Sequence, residues 1–306
     1  MSPNPQNHCQ YLQKLSEKKA EYIKFEGDEK ITWCNGCGDY GIQKALERAL
    51  VLENLTTRDV ALFFDIGCNG NGSDKIGGYT FHGLHGRVIS AAAGACLANP
   101  NIKVIAAGGD GGTFSEGINH LVHGVRNNYP MVFILHNNEN YGLTIGQASA
   151  LTRRDQPMNG SPDGVVTDPM NACEFVLGLK PTFVARTFSG DIRHMTQMLQ
   201  LALRHNGFAF VEVMQLCPTF NKATSTAWFE ERMRYLQNLP DYDVADLHAA
   251  RRAAEDLENE IMMGLLYQDK TRPNFIEMLP SRAERKTTLI EEVDYQDIGE
   301  FMEELR

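Results

Sequence analysis

Three short apolar runs in this chain stop at the same kind of polar signal, and that repetition limits the folds open to it. VALFFDIG (60–67) leads into Cys68-Asn69-Gly70, KVIAAGGDG (103–111) into Gly112, and MVFILHNN (131–138) into Glu139-Asn140-Tyr141-Gly142. TFVART (182–187) and FAFVEVMQ (208–215) are two more runs of similar make-up. Short apolar runs bounded by turn residues fit strands buried on both faces. Between them the period changes. Ile42, Ala45, Leu46, Ala49 and Leu50 recur at helical spacing, as do Ile118, Leu121, Val122 and Val125, and then Ile192, Met195, Met198, Leu199 and Ala202. Strands alternating with helices predict an α/β fold with a mostly parallel sheet and helices on both faces. Ligands of such sheets bind beyond the carboxyl ends of the strands. The three polar loops are therefore expected to meet at one edge.

The rest of the composition narrows the setting. With 306 residues there is ample material for a core. A formal charge of −10 argues against a broad nucleic-acid surface but leaves room for a local basic patch, SRAERK (281–286) being one candidate. No apolar run is long enough to span a bilayer, and MSPNPQNHCQ at the start has no apolar signal segment. A cytoplasmic chain that binds no membrane is expected, with its seven cysteines serving as core thiols or metal ligands. Residues 1–30, including Cys9, read as an arm, and 31–221 as the α/β domain. Residues 222–306 read as a charged C-terminal extension that packs on the domain or on a partner, with a helical pattern over 243–266.

The second and third loops carry chemistry together. Gly109-Asp110-Gly111 is followed, after 25 residues, by Asn137-Asn138. This resembles the diphosphate-binding motif of thiamine diphosphate enzymes. A diphosphate is held through a divalent cation, and Mg²⁺ takes hard oxygen ligands. Asp110 offers a carboxylate and Asn138 an amide oxygen; the resemblance adds the main-chain carbonyl of Asn140. Gly109, Gly111 and Gly112 let the backbone approach phosphates. Gly67, Asn69, Asn137 and Tyr141 belong to the same loops, and Thr144 and Gln147, just after them, are expected to hydrogen-bond the diphosphate. The turns alone would be unremarkable, since Gly, Asn and Asp are turn residues.

CNGC (34–37) raises a separate question. It is a redox dithiol, half of a zinc site, or half of an iron–sulfur site. Cys68 follows the first strand and Cys217 the last, so Cys34, Cys37, Cys68 and Cys217 are expected near one edge. Four thiolates suit a [4Fe–4S] cluster or a structural zinc, and spacing does not separate them. The adjoining thiamine site favours iron, because electrons released there need an acceptor. A dithiol exchanger would leave Cys68 and Cys217 unused. Cys96 and Cys173 read as packed core thiols.

Trp-Cys-x-Gly-Cys-Gly, the Gly-Cys after the first strand, HGLHGR (82–87), the GDG…NN pair and YGLTIGQ (141–147) occur here in the order known from one family. Over residues 30–225 the chain resembles the β subunit of 2-oxoacid:ferredoxin oxidoreductases. The resemblance implies a thiamine diphosphate-binding fold, Mg²⁺, one [4Fe–4S] cluster on the four cysteines, coenzyme A as co-substrate, and ferredoxin as acceptor. It also implies an α subunit, in an α2β2 assembly, that supplies the acid for the aminopyrimidine; the β chain alone is then inactive. It places HGLHGR beside the cofactor, so His82 and His85, with Lys75, are the candidate catalytic residues. Asn35, Asn69 and Gly112 depart from the family pattern of Pro, Ser and an acidic residue. The unusual GNGSDKIGGYTF stretch, with Lys75 against a second carboxylate, points to 2-oxoglutarate over pyruvate. A non-redox thiamine decarboxylase or synthase is the alternative, and it has no use for four cysteines.

Overall fold

The computed structural model describes residues 32–293 and 298–305. The expected arm over 1–30, with Cys9, lies outside the described residues. Helix α1 (Asp39–Leu52) leads to strand β1 (Val60–Phe64), a 3₁₀ turn at Cys68–Asp74, β2 (Tyr79–His82) and α2 (Val88–Ala98). Next come β3 (Lys103–Gly109), a π-helical turn at Gly111–Glu116, α3 (Ile118–Asn127) and β4 (Met131–Asn137). Then follow α4 (Ala172–Gly178), β5 (Phe183–Phe188), α5 (Ile192–Arg204) and β6 (Ala209–Met214). The C-terminal part has α6 (Thr226–Arg232), β7 (Met233–Tyr235), α7 (Leu247–Glu255), β8 (Ile261–Gln268) and α8 (Gly299–Glu303).

Among the described residues, eight strands form one sheet in the order β2-β1-β3-β4-β6-β5-β8-β7. Its pairings are parallel except that of β5 with β8. The inner strands β3, β4, β5 and β6 are buried almost throughout because they lie between two cores. In β4, Val132 and Ile134 join the core under α1 and α5, with Leu46, Leu50, Met198 and Leu199. Met131, Phe133 and Leu135 join the opposite core, under α2, α3, α4 and α7. Successive strand side chains point to opposite faces, so both parities must be apolar.

The pattern over 243–266 is not one helix. Asp256 accepts from the amides of Glu258 and Asn259 at 2.8 and 2.9 Å, in a turn that follows α7. Ile261–Gln268 then runs as β8 along β5, with a register shift at Val184/Ala185. Ile261, Leu265 and Leu266 fit helical spacing, but the run is apolar at both parities, as an inner strand requires. In the basic stretch, Arg282 and Arg285 both pair with Glu292, at 2.8 and 3.3 Å. No helix among the described residues is long and apolar enough to cross a membrane.

Register sets the functional edge. Phe64 pairs with Ala107, Gly109 with His136 and Asn137 with Met214. Asp65, Asp110, Asn138 and Gln215 therefore leave the sheet side by side.

Candidate active site

A cleft of about 470 Å³ opens at this edge. Of the residues expected from sequence, Gly67, Cys68, Asn69, His85, Gly109, Asp110, Gly111, Gly112, Asn138, Asn140, Tyr141 and Thr144 line it. Asp110 is 1 % exposed and accepts from Ser149 Oγ. Burial pushes its carboxyl up to about 7. Asn138 Oδ1 accepts from the Asn140 amide at 3.1 Å, and Asn140 Nδ2 donates to the Asn138 carbonyl at 2.8 Å, which folds the loop into a tight turn. A carboxylate at the end of β3, with an amide oxygen and a main-chain carbonyl in the turn after β4, are donors of the class Mg²⁺ takes, and a buried carboxyl with one side-chain hydrogen bond favours a cation beside it.

Two glycines are demanded by packing. A Cβ on Gly111 would fall 2.3 Å from Tyr141 Cε1, and one on Gly112 would fall 2.2 Å from Asp65 Oδ2. The Asp65 carboxyl fills the space that a side chain at position 112 would need. Asp65 is fully buried, and its Oδ1 accepts from the Ile66 and Gly86 amides at 2.8 Å each. Its Oδ2 has no hydrogen-bond partner among the described residues. Burial raises its pKa. His85 Nδ1 sits 2.9 Å from Glu116 Oε2, close enough for an ion pair though not aligned for a hydrogen bond. Tyr141 also donates to Glu116, at 3.3 Å.

Other expected residues stand elsewhere. Asn137 points away from the cleft, as the neighbour of Asn138 on a strand end must. Its Nδ2 donates to Glu212 Oε1 at 2.8 Å. Gln147 accepts from Thr144 at 2.6 Å and closes the 141–147 loop through its carbonyl to the Tyr141 amide at 2.9 Å. His82 lies on the exposed edge strand β2, against Gly70. Lys75 is buried behind the 3₁₀ turn, where its carbonyl accepts from Gln43. Neither His82 nor Lys75 lines the cleft.

Cys34, Cys37 and Cys217 lie near Cys68, which lines the cleft. The CNGC turn lies against the Cys217 arm: the Gly38 amide donates to the Leu216 carbonyl at 2.9 Å, and Gly36 faces Pro218. Cys68 sits beside Gly142 of the loop after β4, and burial followed by the charges of Asp39, Cys217 and Cys34 pushes its thiol up to about 12. Cys37 Sγ donates to Asp39 Oδ2 at 3.1 Å, and Cys217 Sγ lies 3.8 Å from Asn140 Oδ1. Four neighbouring thiols are the donor type of an iron–sulfur cluster. Two of them are turned to these oxygens, and among the described residues no three His, Cys, Asp or Glu side chains form a ready ligand cluster. Cys96 and Cys173 are buried core thiols.

Sequence reading missed Asp65, Asp39, His136 and Gln215. Asp39 is 1 % exposed and its Oδ1 lies 2.8 Å from His136 Nδ1, which joins the CNGC segment to the cleft wall. Asp65 had a signal, since it follows β1 just as Asp110 follows β3. His136 had none, because its partner is 97 residues away.

Residues 65–213 match the family described as thiamine pyrophosphate enzyme, C-terminal TPP binding domain. Residues 217–284 match the family of the C terminal of the pyruvate ferredoxin oxidoreductase beta subunit. The chain is 34 % identical to the 2-oxoacid:ferredoxin oxidoreductase subunit beta of Sulfolobus sp, over 82 % of this chain and 86 % of that one. It is 35 % identical to the 2-oxoglutarate oxidoreductase subunit KorB of Mycobacterium tuberculosis, over 68 % of this chain and 56 % of that one. Among solved structures, the 2-oxoglutarate:ferredoxin oxidoreductase of Magnetococcus marinus, with 2-oxoglutarate, coenzyme A and succinyl-CoA bound, superposes with a TM-score of 0.82 at 30 % identity, covering 94 % of this chain and 98 % of that one.

Proposed function

This chain belongs to the β subunits of 2-oxoacid:ferredoxin oxidoreductases, and we propose from that premise that it serves a cytoplasmic enzyme converting 2-oxoglutarate and coenzyme A to succinyl-CoA and CO₂. The observation that carries the reading is the cleft in which Asp110, Asn138 and Asn140 stand together, with Cys68 on its wall and Cys34, Cys37 and Cys217 near Cys68. Bound there, thiamine diphosphate with Mg²⁺ would supply the carbanion chemistry, and one [4Fe–4S] cluster on the four cysteines would take single electrons for ferredoxin.

The chain's own part is holding and excluding. Asp110 and Asn138 offer oxygens to the cation. Gly111 and Gly112 let Tyr141 and Asp65 pack against the loop that would meet a diphosphate. Thr144 spends its proton on Gln147, so its oxygen remains an acceptor on the cleft wall. Cys68 is the proposed cluster ligand that also lines the cleft, which puts the two chemistries side by side. Ile66 and Leu143 line the cleft and are 37 % and 51 % exposed, apolar surface that a partner would cover. An α subunit in an α2β2 assembly fits that surface and would supply the acid missing from this chain.

The choice of 2-oxoglutarate rests on the named relatives, since Lys75 does not line the cleft. Pyruvate is the second reading, favoured by the match over 217–284. Coenzyme A-dependent reduction of a viologen dye by the anaerobic complex separates the two. For 2-oxoglutarate, kcat/KM is expected to exceed that for pyruvate by about tenfold or more, a difference of about 1.4 kcal/mol. The reverse preference would establish pyruvate.

A further inference from the structure

Asn221 stands where three parts of the site meet. It is 2 % exposed and closes the turn that begins at Cys217, its amide donating to the Cys217 carbonyl at 3.0 Å. Its Nδ2 donates to the Asn138 carbonyl and to Glu139 Oε2, each at 3.2 Å. Its Oδ1 accepts from Gln156 at 3.2 Å. One side chain thus fastens the arm carrying Cys217 to the loop carrying Asn138 and Asn140.

Its partner Glu139 shows why the fastening is needed. Glu139 has φ 59°, a left-handed conformation that residues other than Gly, Asn and Asp seldom take. Its buried carboxylate accepts from Arg153 Nε at 3.1 Å. Arg153 in turn stacks 4.4 Å over Trp228 and reaches Glu258 at 2.6 Å. The loop between two proposed cation ligands is therefore held from one side by Asn221 and from the other by the C-terminal segment.

Resting on the functional reading just given, we infer that Asn221 is a positioning residue shared by both cofactor sites, fixing Cys217 relative to the oxygens of Asn138 and Asn140. It touches no reacting atom. Asn221→Asp keeps the shape but turns a donor into an acceptor facing the Glu139 carboxylate and the Asn138 carbonyl. Adding Glu139→Gln removes the carboxylate that would repel the new one. Glu139 Oε2 is shared by Asn221 Nδ2 and Arg153 Nε, so the double variant relieves the repulsion and lets the amide oxygen at position 139 keep Arg153, without remaking the original contact.

The test uses the anaerobic complex with its partner subunit, as wild type, N221D, E139Q and N221D/E139Q. One readout is the Mg²⁺ concentration that half-saturates the circular dichroism change on adding thiamine diphosphate. The other is the electron paramagnetic resonance line shape of the dithionite-reduced cluster. N221D is expected to raise half-saturating Mg²⁺ by about tenfold, the scale of an unsatisfied buried polar contact, and to change the cluster line shape; the double variant recovers both in part. Movement of only one signal, of neither, or of both without recovery overturns the inference. A wild-type complex that binds no thiamine diphosphate, or holds zinc and no iron, removes the functional reading first and the inference with it.

Discussion

Asp110 and Glu212 lie two sheet positions apart and are both shut off from water, yet their surroundings are opposite in kind. Glu212 Oε2 accepts from Arg186 Nε at 2.7 Å and from Cys173 at 3.0 Å, and its Oε1 accepts from Asn137 at 2.8 Å. Arg186 carries on to Asn171 at 3.1 Å, and both members of the pair are 0 % exposed. The charge of that pair is balanced within the chain, with Asn137 Oδ1 left without a partner among the described residues. Asp110 has the Ser149 hydroxyl and its own turn, and burial lifts its carboxyl to about 7. A buried charge with its counter-ion built in serves the fold, whereas one without it marks where something else is to bind.

The contrast can be broken most severely at the balanced end. Arg186→Met leaves Glu212 buried and uncompensated, and is expected to cost ~3–5 kcal/mol in denaturant unfolding. A loss below about 1 kcal/mol would mean the pair is not a structural element. Asp110→Asn should do the reverse. The fold is spared, with the melting temperature in the absence of Mg²⁺ unchanged or raised, while half-saturating Mg²⁺ for thiamine diphosphate binding rises by about a hundredfold, ~2.7 kcal/mol. Equal binding by D110N and wild type would remove Asp110 from the cation site. Gly112→Ala pushes a methyl toward Asp65 Oδ2 and is expected to cost ~1–2 kcal/mol as local strain, seen as weaker cofactor binding; Asp65→Ala in the same chain should relieve it.

How far the sequence revealed this division depends on the reach of each contact. The polar strand ends were legible because β1, β3 and β4 are short apolar runs with glycine or asparagine after them, and because Asp110 and Asn138 sit at a fixed spacing. The gathering of the CNGC turn, Cys68 and the Cys217 arm followed from the same topology. The balanced cluster was hidden: Glu212 sits in the middle of FAFVEVMQ, and its partners lie 26, 39 and 75 residues away. Asn137 was read as a site residue because sequence shows that two asparagines are adjacent, not that a strand end turns them to opposite sides. β8 was masked because a run apolar at both parities fits a helix as well as a strand until its partner β5 is known.

Acidity offers the mildest probe of the structural side. Burial first, and the charge of Lys103 next, lower the His205 pKa from 6.5 to about 4. Its Nε2 stands 2.8 Å from Thr182 Oγ1. Above pH 6.5 the ring is neutral in both folded and unfolded chains, and its contribution is intact. As pH falls below 6.5 the unfolded chain binds a proton that the fold refuses, so stability is lost progressively toward pH 4. At about pH 5.5 the loss is on the order of 1 kcal/mol. His205→Gln should flatten that part of the pH profile; an unchanged profile would show that His205 titrates normally in the fold.

That one sheet edge holds both a thiamine site and its electron acceptor is tested most directly by electron paramagnetic resonance. The anaerobic complex is examined after adding 2-oxoglutarate and coenzyme A, with metal analysis of the same sample. Iron at the level of one [4Fe–4S] cluster per chain is expected, with a reduced-cluster signal that appears only with the oxoacid. Zinc without iron, or an iron cluster that no 2-oxoacid reduces, would contradict it.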